Sequence, residues 1–243
     1  MARVVRGTEP YDVAALQAEV ELARSISEFD EGPYKNAISL PSAEQIYAPY
    51  KTHHNNVPFS GALDQCPYLK SIFESFHTEK TSFRLLRRLP QTAYAFHDDK
   101  DRGGDIARFQ IPINTSDNAF LLIAKNEVDL RRFDTDSSGF KGDSNGDIWF
   151  NMEQLHDACA DDVELFYLEE GYLNYFDTDQ VHTLINAELE ERVTLSLDLV
   201  MNEWLAKWME TNLTHVVRAS PITPSRAVEW KWNALRHGVI RTD

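Results

Sequence analysis

The sequence predicts a mainly β protein, an all-β barrel or jelly roll flanked by helices at both ends. Three observations carry this. From about residue 83 the hydrophobic period falls to two. Phe109, Ile111 and Ile113 alternate with Arg108, Gln110 and Pro112, and Val193, Leu195, Leu197 and Leu199 alternate with Arg192, Thr194, Ser196 and Asp198. Short apolar runs at 120–124, 148–150, 165–168 and 172–176 are punctuated by turn residues such as Glu169-Glu170-Gly171, the pattern of many short strands. On either side of this region the period is helical. In such a barrel one face of each strand packs against helices and the other lines a cavity.

Val13, Leu16 and Val20 recur at helical spacing after Pro10, which suits a first helical turn. Pro67 opens a second stripe of Leu69, Ile72, Phe73 and Phe76. Residues 1–82 are therefore expected to form a helical region that packs on the barrel. The barrel core is expected over 83–199, with a long insert near 126–163. Within that insert, 133–147 is polar and glycine-rich and predicts a loop, a candidate cover for the barrel mouth. After Leu199 the helical period returns in Met201, Trp204, Leu205, Trp208 and Met209. Thr223, Pro224 and Gly238 then bracket a last helix whose face carries Val228, Trp232 and Leu235. The 200–243 segment is expected to be these C-terminal helices. From Thr214 it holds five basic and two acidic residues, a reversal of sign that fits packing on an acidic body or a homodimer contact.

The chain has 243 residues and a formal net charge of −15, and 42% of it is hydrophobic, including 13 Phe, 9 Tyr and 5 Trp. That fits one domain with appendages and a sizeable core, and excludes wholesale disorder. An acidic surface repels nucleic-acid backbones and anionic membranes, so neither is expected as a partner. Cys66 and Cys159 are too few for a disulfide framework or a cysteine-only zinc site. No window approaches the roughly 18 apolar residues of a membrane span, and the first ten residues lack a secretory core. A soluble cytoplasmic protein is expected.

Of eight histidines, His53 and His54 lie in a polar Thr-His-His-Asn-Asn stretch, His77 sits at a helix end, and His156, His215 and His237 have no carboxylate or second histidine at useful ligand spacing on a strand; surface or core positions suffice for them. His97 differs, because Asp99 follows two residues on. In an extended chain both side chains project to one side, so they can bite one metal ion. A third ligand from elsewhere would complete the two-histidine, one-carboxylate facial triad of non-haem Fe(II) sites. Alone, the motif equally fits a solvated turn. Further on, His182 closes one predicted strand and Arg192, ten positions later, opens the next. Arg192 shares a strand face with Thr194 and Ser196. A buried arginine needs an anionic partner, either a structural carboxylate such as Asp198 or the distal carboxylate of a dicarboxylic cosubstrate, which suits the guanidinium fork. Asp134, Asp136, Ser138 and Gly139 resemble the opening of a calcium loop, but Asn145 stands where its bidentate glutamate belongs. A cupin-like metal barrel without oxygenase activity is the other alternative.

Taken in order, Leu89-Pro90, His97-x-Asp99, Arg108-x-Gln110-Ile-Pro-Ile, Gly171, Phe176-Asp177-Thr178, His182, Asn186, Arg192 and Asp198 resemble the aspartyl/asparaginyl β-hydroxylase-like branch of the 2-oxoglutarate and Fe(II)-dependent dioxygenases, which includes bacterial cis-proline hydroxylases. The resemblance covers about residues 83–199. Gln110 stands where histidine is common in that branch, and Gln91 where glycine is usual. The resemblance implies a double-stranded β-helix, with His97, Asp99 and His182 as ligands of Fe(II). It implies that Arg192 binds the distal carboxylate of 2-oxoglutarate with Thr194 or Ser196 assisting, and that Arg108 lies near a cosubstrate or substrate carboxylate. It further implies O2 as co-reactant, succinate and CO2 as coproducts, and hydroxylation of an amino acid or an aminoacyl or peptidyl group. Related halogenases lack the triad carboxylate, so Asp99 favours hydroxylation.

Overall fold

Two antiparallel sheets face each other with helices against the larger one. The computed structural model describes residues 4–29, 36–47, 57–90, 92–94, 96–100, 105–125, 141–142, 147–149 and 161–222. These form β1 (Val4–Arg6), α1 (Val13–Ile26), β2 (Ala37–Ser39), α2 (Pro67–Ser75), β3 (Lys80–Arg88), β4 (Thr92–Tyr94), β5 (Ile106–Asn114), β6 (Ala119–Ala124), β7 (Lys141–Gly142), β8 (Asp147–Trp149), β9 (Val163–Tyr167), β10 (Asn174–Phe176), β11 (His182–Asn186), β12 (Arg192–Val200), α3 (Glu203–Asn212) and β13 (His215–Val216). The larger sheet runs β13-β1-β10-β5-β12-β3-β2 and the smaller β7-β8-β4-β11-β6-β9. From β3 to β12 the chain alternates between sheets, broken only at the insert. The central quartets are β3, β12, β5, β10 and β4, β11, β6, β9. This is the double-stranded β-helix, and the mainly β, jelly-roll expectation holds.

The strand alternation settles which side chains go where. Val193, Leu195, Leu197 and Leu199 of β12, Phe109, Ile111 and Ile113 of β5, and Phe83 and Leu85 of β3 join the helices in one apolar core. Asp12 caps α1 by accepting the Ala15 N–H at 3.0 Å, so the helix starts three residues after Pro10 rather than at it. Its buried face is Leu16, Glu19, Val20 and Ala23. Glu19 looks out of place on an apolar face, but its carboxylate accepts the Tyr68 and Leu69 N–H groups, each at 2.7 Å. It thereby satisfies two of the orphan donors at the start of α2, where Cys66 provides no side-chain cap. Asn202 caps α3 through the Leu205 N–H at 2.8 Å. Gly171, before β10, has φ of 75°, and a Cβ there would lie 2.8 Å from Val13 Cγ2 and 2.9 Å from the Tyr11 carbonyl. Only glycine lets α1 close onto that turn.

The N-terminal region is more than the helical cap expected over 1–82. β1 enters the larger sheet between β10 and β13, and β2 pairs with β3 in the register Ile38↔Leu85. Three-residue strands are too short to show an alternation, and they cover strand edges that would otherwise stand open. Part of the insert returns to the barrel, since β8 pairs with β4 through Ala93↔Ile148. Most of the insert, the calcium-like stretch save Lys141 and Gly142, the last predicted helix with most of the proposed dimer contact, Gln91, Cys159 and four of the histidines (His53, His54, His156, His237) lie outside the described residues. Among the described residues no helix is long and apolar enough to cross a membrane.

Candidate metal centre and anion pocket

His97 follows β4 and meets His182 through reciprocal backbone hydrogen bonds, 3.1 Å from the His97 N–H and 2.8 Å from the His182 N–H. This pairing sets the two rings 4.4 Å apart. His182 opens β11 rather than closing the strand before it. The Asp99 N–H donates to the Thr178 carbonyl at 2.9 Å, which holds the His97-x-Asp99 segment against the turn before β11. The ligand atoms of His97, Asp99 and His182 all lie within 4.8 Å of one another. The His182 Nδ1 lies 2.8 Å from the Gln180 carbonyl. A carbonyl only accepts, so Nδ1 carries the hydrogen and Nε2, which is 4.0 Å from Asp99 Oδ2, presents its lone pair to the cluster. Burial, reinforced by the neighbouring His97, pushes the His182 pKa down to about 3. The ring is neutral at pH 7, the state a metal ligand requires. Two imidazole nitrogens and one carboxylate oxygen form the donor set suited to Fe(II) with open positions.

Arg192 lies at the other end of β12, in register with Arg88 of β3. It is buried, and its Nε and Nη2 have no hydrogen-bond partner among the described residues. Burial, and then the Arg88 charge, lower its pKa to about 10, which leaves it cationic at neutral pH. Thr194 and Ser196 follow on the same inward face, and the buried Ser196 Oγ is likewise unpartnered among the described residues. Among the described residues no structural bridge to Arg192 is formed. Neighbouring Glu191 pairs with Arg24 and lies 3.9 Å from Arg87, and Asp198 is taken by Arg108.

Arg108, expected near a cosubstrate or substrate carboxylate, is engaged by two of the chain's own carboxylates. Its Nε and Nη2 donate to Asp198 Oδ1 and Oδ2 at 2.6 and 2.7 Å, and its Nη1 reaches Asp99 Oδ2 at 3.3 Å. The cause is register: Asp198 is the residue directly opposite Arg108 across β5 and β12. Asn186, part of the resemblance pattern, has a structural task. Its amide donates to the Arg88, Leu89 and Glu190 carbonyls at 3.2, 3.1 and 2.8 Å and so ties the end of β3 to the turn between β11 and β12.

Sequence reasoning missed the roles of Arg88, Gln180 and the Asp198 fork. Alternation along β3, β5 and β12 could have placed Arg88 beside Arg192 and Asp198 beside Arg108 once their pairing was known. The Gln180 and Thr178 contacts use backbone carbonyls and leave no side-chain signal. Cys66 is no candidate nucleophile, because burial and then the Glu19 charge push its thiol up to about 11.

Fold and site together define a class: a double-stranded β-helix with a two-histidine, one-carboxylate cluster and a buried arginine that has no side-chain partner among the described residues. No family model matches the chain, and no curated protein matches it in sequence. Among solved structures it is similar to AviO1 from Streptomyces viridochromogenes Tue57, with 16% identity, 83% of this chain and 91% of that one covered, and a TM-score of 0.43. It is similar to HygX from Streptomyces hygroscopicus, solved with nickel and 2-oxoglutarate bound, with 9% identity, 83% and 84% covered, and a TM-score of 0.47. A 2OG-Fe(II) oxygenase family oxidoreductase from Burkholderia pseudomallei gives 12% identity, 81% and 83% covered, and a TM-score of 0.43.

Proposed function

We propose that this chain is a non-haem Fe(II)- and 2-oxoglutarate-dependent oxygenase that hydroxylates an unactivated C–H bond of an amino acid, free or in an aminoacyl or peptidyl group. His97, Asp99 and His182 hold the metal, and Arg192 takes the distal carboxylate of 2-oxoglutarate with the Thr194 and Ser196 hydroxyls alongside. The bound iron supplies the reaction of O2 with 2-oxoglutarate and substrate, giving succinate, CO2 and the hydroxylated product. The chain's own tasks are to keep His182 neutral and turned by Gln180, to orient Asp99 through Thr178 and Arg108, and to offer a charged fork in a place closed to water.

One observation carries the reading: the His97–Asp99–His182 cluster shares its barrel with a buried guanidinium, two nitrogens of which have no partner among the described residues. A cupin-like barrel without oxygenase activity has no use for that arginine, whose burial without a partner is costly. The amino-acid substrate is supported by the sequence of the insert, where Asp134, Asp136, Asp143 and Asp147 would favour a group bearing an amine. The test incubates the purified protein with Fe(II), 2-oxoglutarate, O2 and a panel of amino acids and short peptides, reading succinate and the gain of one oxygen atom in the product. Succinate formation that requires Fe(II) and disappears in His182→Ala supports the oxygenase. Metal binding with no 2-oxoglutarate consumption under any substrate contradicts it.

A further inference from the structure

Arg108 poses a problem for the metal centre. Its guanidinium donates to Asp99, the carboxylate of the metal cluster, and a cation at that distance both competes for the carboxylate lone pairs and repels a divalent ion. Arg108 and Asp99 are both largely buried, with side chains 8% and 10% exposed, so water screens little of this. The structure contains the remedy. Asp198 is completely buried and takes Arg108 in a two-bond fork at 2.6 and 2.7 Å, against a single 3.3 Å bond to Asp99. Arg84 comes within 3.7 Å of the same Asp198 oxygen. Arg84 is the more distant of the two cations, so the short fork on the Nε–Nη2 edge draws chiefly on Arg108, which gives Asp99 a single 3.3 Å bond from its Nη1.

We infer that Asp198 is a positioning residue for the metal centre: it holds the Arg108 fork and draws its charge, so that Asp99 can bind a cation. This rests on the metal reading of His97, Asp99 and His182. Asp198 is not one of the three clustered donor residues and acts through Arg108. Forks of this type are common as plain structural bridges. What separates the two roles is the metal affinity, since a structural bridge affects folding alone.

The experiment titrates Co(II) into the metal-free protein, following its visible absorption band, with thermal unfolding measured in parallel. The variants are Asp198→Asn, Asp198→Glu, the double variant Asp198→Asn/Arg108→Gln, and His182→Ala as control. Asp198→Asn should weaken Co(II) binding by about ten- to a hundredfold, the range for groups that support metal ligands. Asp198→Glu keeps the charge and should recover most of the affinity. The double variant, in which both charges leave together, should bind Co(II) within about threefold of wild type, a difference of about 0.7 kcal/mol. Wild-type affinity in a folded Asp198→Asn overturns the inference, and so does a double variant as weak as that single one. If Asp198→Asn does not fold, the double variant decides alone: near-wild-type affinity supports the inference and a loss of tenfold or more overturns it. If His182→Ala binds Co(II) as tightly as wild type, the metal reading itself fails and this inference falls with it.

Discussion

The two faces of β12 are built from alternate residues of one strand and obey opposite rules. Outward, Val193, Leu195, Leu197 and Leu199 are buried among the helices, and every atom contributes to stability by leaving water. Inward, Arg192, Thr194, Ser196 and Asp198 are just as buried, yet Arg192 and Ser196 carry polar atoms with no partner among the described residues. Burying such atoms unpaired costs free energy, so the inner face weakens the fold until a ligand arrives. The outer face can be explained by the folded chain alone. The inner face calls for a partner that the described residues do not supply.

That contrast can be broken by mutation, and the largest effect belongs to the outer face. Leu195→Ala should destabilise the protein by about 2–5 kcal/mol in denaturant unfolding while leaving metal affinity in the folded fraction unchanged. Next is Glu19, the buried charge on the outer side that does have partners. Glu19→Ala strands the Tyr68 and Leu69 N–H groups and should cost about 1–3 kcal/mol, whereas an equally buried but unpartnered group should cost nothing to remove. A smaller, graded effect concerns pH in the metal-free protein. The His182 pKa is about 3 when folded against 6.5 unperturbed. Between those values the unfolded chain takes up a proton that the folded chain does not. His182 therefore adds no penalty above about pH 6.5, and stability is lost as the pH falls from there towards 3, with a slope of at most about 1.4 kcal/mol per pH unit. His182→Gln should flatten this part of the stability profile, and an unchanged slope would show that the ring is not held neutral by burial.

The same two faces explain how much was legible in the sequence. Strict alternation in β5 and β12 showed the barrel strands because one face had to be apolar, and it put Arg192, Thr194 and Ser196 on the inner side without any coordinates. The His97-x-Asp99 bite was legible because both ligands lie on one short segment. Partnering was not legible. Arg192 and Asp198 stand six residues apart on one strand, about 20 Å in extended chain, and so cannot pair; that Arg108 stands opposite Asp198 depends on strand register, which no local pattern encodes. β1 and β2 were missed for the reason that three residues give too little alternation to distinguish a strand from a loop. The turn of His182 towards Gln180 was hidden because a backbone carbonyl has no residue signature.

Arg192 tests the account most directly, because stability and ligand binding should respond to it in opposite ways. The measurement pairs denaturant unfolding of metal-free wild type and Arg192→Met with calorimetric titration of 2-oxoglutarate into the metal-loaded forms. Replacing a buried guanidinium that has no partner among the described residues with an apolar side chain of similar length should leave unfolding free energy equal or higher. The same change should lower 2-oxoglutarate affinity by about ten- to a hundredfold, the equivalent of losing a charge-assisted contact of about 1.5–3 kcal/mol. A variant that is clearly less stable and still binds 2-oxoglutarate as wild type does would contradict the account, for Arg192 would then be a structural residue and the inner face would need no ligand.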